Sequence, residues 1–250
     1  MAPRSVSQSC VFDCDKADAV ERFSSLITDW EPSLSVKKPP SDAILYEPDG
    51  TLYAIALSDC VLEIPRRIES LGAGDMVVIP RGFPVDAGPS ADLLALCHDG
   101  PAPDHFRERF IQVRGFDIPA VEDGSTETDG LRRLIPPDEV RFRVSYAVLN
   151  VSRANGSVNL SSCPFLRLVI AFEGEAVVRP LKTTAALPFR LPARSVIVTY
   201  PDQPLSVEGN ARLGILEIPT DLEHDERRAL QFRRASERPS PEFRTNPIPS

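Results

Sequence analysis

Histidine is scarce in this sequence, which has only His98, His105 and His224 among its 250 residues. None of the three is placed to complete a Ser/His/Asp arrangement, because the candidate partners are scattered singly along the chain. The signatures G-x-S-x-G, H-E-x-x-H, the P-loop and G-x-G-x-x-G are missing as well. The sequence therefore indicates no particular reaction and no catalytic residue. It favours a protein that is not an enzyme.

Clustered positive charge and long apolar runs are also absent. The formal net charge is −8 and no dense run of lysine or arginine occurs, which argues against a nucleic-acid or anionic-membrane partner. No stretch approaches the roughly 18 apolar residues of a membrane span. The first residues, MAPRSVSQSC, lack the apolar centre of a signal peptide. We therefore expect a cytoplasmic protein.

Cysteine is present in an odd number that does not suggest a disulfide framework. The five residues are Cys10, Cys14, Cys60, Cys97 and Cys163, which favour free thiols in a reducing compartment. Cys10 and Cys14 form C-x3-C and Cys97 adjoins His98, but no second closely spaced Cys/His pair completes a zinc site. We expect no metal and no other cofactor.

The residues that are present favour β-structure. Prolines number 25, and from Ala43 onward short apolar runs alternate with Gly/Pro breaks, a pattern typical of an all-β sandwich or barrel. AILYEPDGTLYAIAL predicts two strands around a tight turn. Before them, DKADAVERFSSLITDW has apolar residues at helical spacing, with Asp15 as the N-cap.

Two halves of the chain resemble each other. LYAIALSDCVLEI aligns with RLVIAFEGEAVV, and GDMVVIP aligns with ARSVIVT, at an offset of about 115 to 120 residues. This internal similarity predicts a tandem repeat of one β unit. The predicted organisation is a helical segment at 1–42, a first barrel at 43–115, an acidic linker at 116–140, a second barrel at 141–219, and a C-terminal helix with a flexible tail at 220–250.

Two motifs resemble the sequence signatures of cupins. GDMVVIPRG matches the step G-x5-P-x-G through Gly74, Pro80 and Gly82, and FEGEAVV matches the hairpin whose glycine is here Gly174. The resemblance implies a bicupin, with two tandem jelly-roll barrels and flanking helices. The second half is also similar to the carboxy-terminal cupin of type I phosphomannose isomerases.

The resemblance further implies a metal site, and the matching positions have lost its ligands. Catalytic cupins use two histidines in an H-x-H step, a glutamate and a later histidine. In the first half, the glutamate position is Leu52 and the late histidine is Val85. In the second half, the corresponding positions are Arg167 and Pro204, and the H-x-H step falls on LSSC, Leu160 to Cys163. We therefore expect a metal-independent protein.

The register transferred from the family predicts what faces each barrel interior. Leu52, Ala54 and Ala56 make the first interior apolar, whereas Arg167 projects into the second beside Val169 and Ala171. A buried guanidinium needs a carboxylate partner, water, or an anionic ligand.

Two interpretations of Arg167 remain open from the sequence. Glu175 or Glu217, on neighbouring predicted strands, would make it an internal ion pair. Alternatively, Arg167 anchors a ligand carboxylate or phosphate through its planar fork, with hydrogen bonds added by Tyr200 and Gln203.

Three functions are compatible with these features. The first is a metal-independent bicupin that binds a small anionic or sugar-like ligand, or acts as a structural or regulatory module, as a homodimer. The second is a sugar-phosphate isomerase-like or other carbohydrate-acting enzyme. The third is a metal-dependent dioxygenase with atypical ligands that include His98 or His105. Cys163, near the second barrel's mouth, is either a reactive thiol or a small buried side chain.

Overall fold

The structure is a computed structural model that describes residues 10–64, 67–99, 111–113, 131–135, 142–182 and 187–220. In chain order the elements are β1 (Cys10–Asp13), α1 (Ala17–Trp30), β2 (Leu34–Lys37), β3 (Ile44–Leu45), β4 (Thr51–Ala56), β5 (Cys60–Ile64), β6 (Arg67–Leu71), β7 (Met76–Ile79), β8 (Val85–Ala87), β9 (Leu93–His98), β10 (Ile111–Val113), β11 (Leu131–Ile135), β12 (Ser145–Val151), β13 (Val158–Leu160), β14 (Leu166–Pro180), β15 (Phe189–Pro192), β16 (Ser195–Thr199) and β17 (Leu205–Ile218). A short 3-10 turn, Arg153–Asn155, separates β12 from β13. The predicted all-β fold class is confirmed.

The first unit is a sandwich of two antiparallel sheets. One sheet has the strand order β10-β7-β4-β9-β2, and the other has the order β3-β8-β5-β6. Apolar side chains from both sheets meet between them and form a separate core. Leu52, Ala54 and Ala56 belong to this core, so the predicted inward face of β4 is confirmed.

The second unit is built from one bent sheet of eight strands. Its path is β1-β16-β14-β17-β12-β11, with β13 added to β17 and β15 added to β14. The two long strands β14 and β17 pair along nearly their whole length, so each contributes to both walls of the unit. Val169 and Ala171 lie in the enclosed core, as predicted.

The two units pack against each other through a third apolar cluster. Every residue of β4 is buried because both faces of its sheet are covered. Its side chains alternate between the core of the first unit and this cluster. Its members include Tyr53, Met76, Leu94, Tyr146, Leu168 and Val196. Hydrogen bonds also cross the junction: Tyr146 Oη donates to Gly74 O at 2.7 Å, and Arg143 N donates to Tyr53 Oη at 3.0 Å.

The N-terminal segment joins both units. β1 pairs with β16 of the second unit, and β2 pairs with β9 of the first, with α1 between them. Val20, Phe23 and Ile27 of α1 are buried in the cluster between the units, as the helical spacing predicted. The predicted N-cap was wrong, because Lys16 holds that position and the Asp15 carboxylate instead accepts hydrogen bonds from Arg194.

Two strands lie outside the predicted ranges of the two barrels. β2 falls in the predicted helical segment 1–42 but belongs to a sheet of the first unit. β11 falls in the predicted linker 116–140 but pairs with β12 in the second unit. The rest of that linker and, beyond Thr220, the predicted C-terminal helix and tail lie outside the described residues. No helix in the described part of the chain is long and apolar enough to cross a membrane.

Candidate functional site

A cavity of about 350 Å³ opens into the second unit beside β12, β14 and β17. We refer to it as the Arg167 cavity. The polar and charged side chains on its wall include Arg133, Ser145, Ser161, Cys163, Arg167 and Glu217.

Three adjacent strands place the central side chains of this cavity. Arg167 of β14 lies directly opposite Glu217 of β17, and Glu217 lies opposite Ser145 of β12. Residues directly opposite each other in neighbouring strands project from the same face of a sheet. The register alone therefore brings a guanidinium, a carboxylate and a hydroxyl side by side.

Arg167 forms a buried ion pair with Glu217. Arg167 Nη2 and Nε donate to Glu217 Oε1 at 2.9 and 3.2 Å, and Nη2 also donates to Ser161 O at 2.8 Å. The exposed fractions of the two residues are only 4% and 6%. Ser145 Oγ donates to Glu217 Oε2 at 3.2 Å, and Arg133 Nη1 is 3.9 Å from the same oxygen. The structure thus selects Glu217 from the two predicted partners.

Glu175, the other predicted partner, lies away from this pair. It is on β14 itself, beyond Gly174, and its Oε1 is 3.9 Å from Arg190 Nη1 at the surface. The hairpin that the cupin resemblance places at Gly174 would separate Arg167 from Glu175, whereas the structure has one continuous strand.

The third nitrogen of the Arg167 guanidinium, Nη1, differs from the other two in its hydrogen bonding. Nη1 is buried and has no hydrogen-bond partner in the described part of the chain. A buried donor without a partner costs about 1 to 3 kcal/mol. The planar fork that the sequence assigned to a ligand faces Glu217 instead.

The Cys163 thiol is unsuited to act as a nucleophile at neutral pH. Burial raises its pKa to about 11, and the negative charge of Glu217 acts in the same direction. A reactive cysteine needs a lowered pKa, since the thiolate is the nucleophile. The geometry supports the interpretation of Cys163 as a small, partly buried wall residue.

Tyr200 and Gln203 do not line the Arg167 cavity. Tyr200 follows β16 and packs against the apolar cluster between the two units, together with Val196 and Val198. Gln203 lies in the loop between the following turn and β17. Of the three predicted ligand-binding residues, the structure places only Arg167 on the cavity wall.

Sequence reasoning missed other wall residues of the cavity. Ser161 lies in the LSSC stretch that was aligned with lost metal ligands, so its position was anticipated but not its role. Arg133 fell inside the predicted linker, and Ser145 had no motif. Only the pairing of β11, β12 and β17 could reveal them.

The cavity does not fit the divalent metal of catalytic cupins. Its centre is the Arg167 guanidinium, its carboxylate Glu217 is already paired, and its thiol Cys163 is protonated at neutral pH. Within the described residues, no group of three His, Cys, Asp or Glu side chains could hold a metal ion. His98 is buried in β9, and His105 and His224 lie outside the described residues.

The first unit has an equivalent position with different chemistry. Leu52 of β4 lies opposite Cys97 of β9, which lies opposite Ser35 of β2, in the same arrangement as Arg167, Glu217 and Ser145. Leu52 is fully buried in the first core, and so is Val85. The charged pair is therefore specific to the second unit.

A larger groove, of about 1090 Å³, runs along α1. At one end Arg194 contacts Asp15 and Asp92, and Lys38 Nζ lies 2.9 Å from Asp15 and 3.2 Å from Asp92. These four charges neutralise one another and tie the N-terminal segment to both units. We therefore assign the candidate site to the Arg167 cavity.

No family model and no curated protein matches this sequence. Among solved structures, the protein Ylba from E. coli aligns with a TM-score of 0.55 at 7% identity, covering 74% of this chain and 76% of that one. A putative glyoxylate induced protein from Pseudomonas aeruginosa has a TM-score of 0.52 at 12% identity, covering 74% and 75%. YhhW from Escherichia coli has a TM-score of 0.51 at 12% identity, covering 75% and 82%. At these identities the likeness shows the fold alone, and that fold is the jelly roll of the cupins.

Proposed function

We propose that the protein is a metal-independent bicupin whose second unit binds a small anionic or carbohydrate-like molecule. The observation that carries the proposal is the buried Arg167 guanidinium, which belongs to the wall of a cavity and has one nitrogen without a hydrogen-bond partner among the described residues. Cupin barrels offer a concave interior of the kind that binds small molecules. As part of the same proposal, the protein is cytoplasmic and forms a homodimer, which analytical ultracentrifugation would test.

The charge of the cavity supports an anionic ligand. Arg133 and Arg167 line it. A guanidinium group binds carboxylate or phosphate oxygens through its planar set of donors. At the equivalent position of the first unit, Leu52 replaces the arginine and Cys97 replaces the glutamate.

Elemental analysis and a ligand screen test the proposal. We expect purified protein to retain no stoichiometric iron, manganese, zinc or nickel by inductively coupled plasma mass spectrometry after exposure to these metals. In a thermal-shift screen of sugars, sugar phosphates and carboxylates, at least one compound should raise the melting temperature of the wild type and of Arg190→Ala, a surface control, but not of Arg167→Met. A retained metal ion would overturn metal independence, and a screen without any shift would overturn binding.

A carbohydrate-acting enzyme, such as a sugar-phosphate isomerase, is the second candidate. The Glu217 carboxylate and the Cys163 thiol are two titratable groups that line the same cavity, which supports this alternative. NMR of sugar phosphates incubated with the protein would show turnover, and Glu217→Gln should abolish it. The dioxygenase alternative has no supporting ligand cluster in the described residues, and the metal analysis tests it directly.

A further inference from the structure

The exposed large hydrophobic side chains of the described residues are concentrated on two surfaces. Four lie on or beside the sheet β3-β8-β5-β6 of the first unit, and two flank the loop between β14 and β15 of the second unit. The described part of the chain exposes one further side chain of this kind, Val11. Single exposed hydrophobic residues need no explanation, whereas a group of them indicates an interaction surface. The two groups are Ile44, Tyr46, Val61 and Ile68, and Leu181 and Leu187.

The first surface is the outer face of the sheet β3-β8-β5-β6. Asp86 of β8 lies opposite Ile44 of β3 on one side and opposite Glu63 of β5 on the other. Glu63 in turn lies opposite Ile68 of β6, so the four residues form one row across the sheet. Leu62 faces the core of the first unit, which places the row on the side away from that core. Ile44 is 69% exposed and Ile68 is 67% exposed. We refer to this row as the acidic outer face.

The two carboxylates of the acidic outer face lack a counter-charge. Glu63 and Asp86 are both exposed, and neither has an ion-pair partner among the described residues. Like charges directly opposite each other in neighbouring strands are destabilising. On the surface of the second unit charges are paired instead, as between Arg179 and Glu208 at 2.9 Å. A cationic group that docks on Glu63 and Asp86 would relieve their repulsion.

The second surface is the end of the hairpin that β14 and β15 form in the second unit. Leu181 and Lys182 follow β14, and Leu187 precedes β15. Leu187 is 80% exposed and Leu181 is 50% exposed. Lys182 is exposed as well, and it has no ion-pair partner among the residues that the structure describes. We refer to these three residues as the hairpin tip, which offers a cation beside two leucines.

We propose that the hairpin tip of one protomer docks on the acidic outer face of a second copy of the chain. Both surfaces offer hydrocarbon, and their charges are opposite, with Lys182 on one and Glu63 and Asp86 on the other. Two copies of the acidic outer face would instead bring carboxylates against carboxylates, which is unfavourable.

The two surfaces belong to different units of one chain, so a two-fold arrangement makes the contact twice and closes the assembly as a dimer. The repetition doubles the buried area, and stable interfaces bury about 1,200 to 2,000 Å² in total. This inference rests on the homodimer of the proposed function and goes further by naming its interface.

Sedimentation equilibrium of the full chain over a range of concentrations tests the interface. We expect Ile68→Ser, on the acidic outer face, and Leu187→Ser, on the hairpin tip, each to raise the dissociation constant of the dimer by at least about 10-fold. Val11→Ser is the matched control, because Val11 is an exposed hydrophobic residue outside both surfaces, and it should leave the constant unchanged.

A charge reversal tests the electrostatic part of the contact. Lys182→Glu should weaken the dimer because it brings a third carboxylate to Glu63 and Asp86. Adding Glu63→Lys to the same chain should recover most of the loss, which a merely local disturbance at residue 182 would not allow.

The possible failures can be told apart. A dimer that neither Ile68→Ser nor Leu187→Ser weakens would overturn this interface and leave the homodimer standing, and growth of larger species would overturn the closed two-fold arrangement. A wild type that stays monomeric at every concentration would overturn the homodimer and this interface together. Ligand binding by the Arg167 cavity is measured separately, in the thermal-shift screen.

Discussion

Arg167 and Glu217 show how this fold tolerates two charges in its interior. The carboxylate accepts from Arg167 and Ser145, and Arg167 also donates to Ser161 O. Removing one member of such a pair typically costs about 3 to 5 kcal/mol, whereas replacing both is often close to neutral. The pair is therefore weak evidence for a stabilising role, and it is compatible with the recognition role proposed for the cavity.

Cys163 provides a test of the electrostatics at residue scale. Since its pKa is raised to about 11, alkylation of the native protein by iodoacetamide should be slow at pH 7 and accelerate about tenfold for each unit of pH up to about pH 10. Peptide mass spectrometry after timed alkylation would measure the rate at Cys163, with the urea-unfolded protein as control. A rate that levels off near pH 8.5, the ordinary thiol value, would contradict the environment described for this side chain.

At the scale of elements, Gly174 decides the shape of β14. The strand continues through a register shift between Ala171 and Glu173, and Gly174 has a φ of 73°. A Cβ atom there would lie 2.0 Å from Asn210 O, on the adjacent strand β17. The bulge bends β14 so that one strand serves both walls of the second unit. The resemblance to cupins predicted a hairpin at this point.

Gly82 offers a matched comparison for Gly174. Its φ is 70°, but a Cβ atom there would have no heavy atom within 4 Å. We expect Gly82→Ala to cost about 1 to 2 kcal/mol, from the left-handed conformation alone, and Gly174→Ala to cost clearly more, because backbone must also move. Urea denaturation followed by circular dichroism measures both values. Equal losses would show that the close approach to Asn210 has no energetic consequence.

The turn before β4 illustrates a limit of local patterns. The stretch around Glu47 to Gly50 predicted a hairpin, yet β3 pairs with β8 in one sheet and β4 pairs with β7 and β9 in the other. The turn residues are those of a reversal, but the chain crosses between the two sheets of the sandwich there. Which strand becomes a neighbour depends on contacts far away along the chain, and a local pattern does not contain them.

At the scale of the whole molecule, the junction between the units makes them interdependent. Each unit has its own core, and a third cluster that includes Phe23, Tyr53 and Tyr146 lies between them. A unit separated from its partner would expose this apolar face to water. The N-terminal segment adds to the coupling, because β1 and β2 belong to sheets of different units.

The single tryptophan of the chain makes this coupling measurable. Trp30 ends α1 and packs against the cluster between the units. We expect urea unfolding to give one transition, with the same midpoint by Trp30 fluorescence as by far-ultraviolet circular dichroism. Phe23→Ala, at a fully buried position of α1, should lower both midpoints together and cost about 3 to 5 kcal/mol. A loss of strand signal without a change at Trp30 would mean that one unit unfolds independently.

The sequence by itself determined the fold class and the alternation of buried side chains. The register implied by the cupin resemblance assigns Leu52, Ala54 and Ala56 to one core and Val169 and Ala171 to the other, and both assignments are confirmed. Once one residue of a strand faces the core, the alternation of side chains places the others. The need of a buried guanidinium for a partner also follows from its charge alone.

Only the tertiary structure decided which groups meet. Glu217 rather than Glu175 faces Arg167, Ser145 and Arg133 join the cavity wall, and Tyr200 packs between the units instead of at the site. These outcomes depend on strand order and register, which arise from hydrogen bonds and packing between segments distant in the sequence. A one-residue change of register would turn Arg167 to the opposite face, so the site exists because of the pairing of β14 with β17.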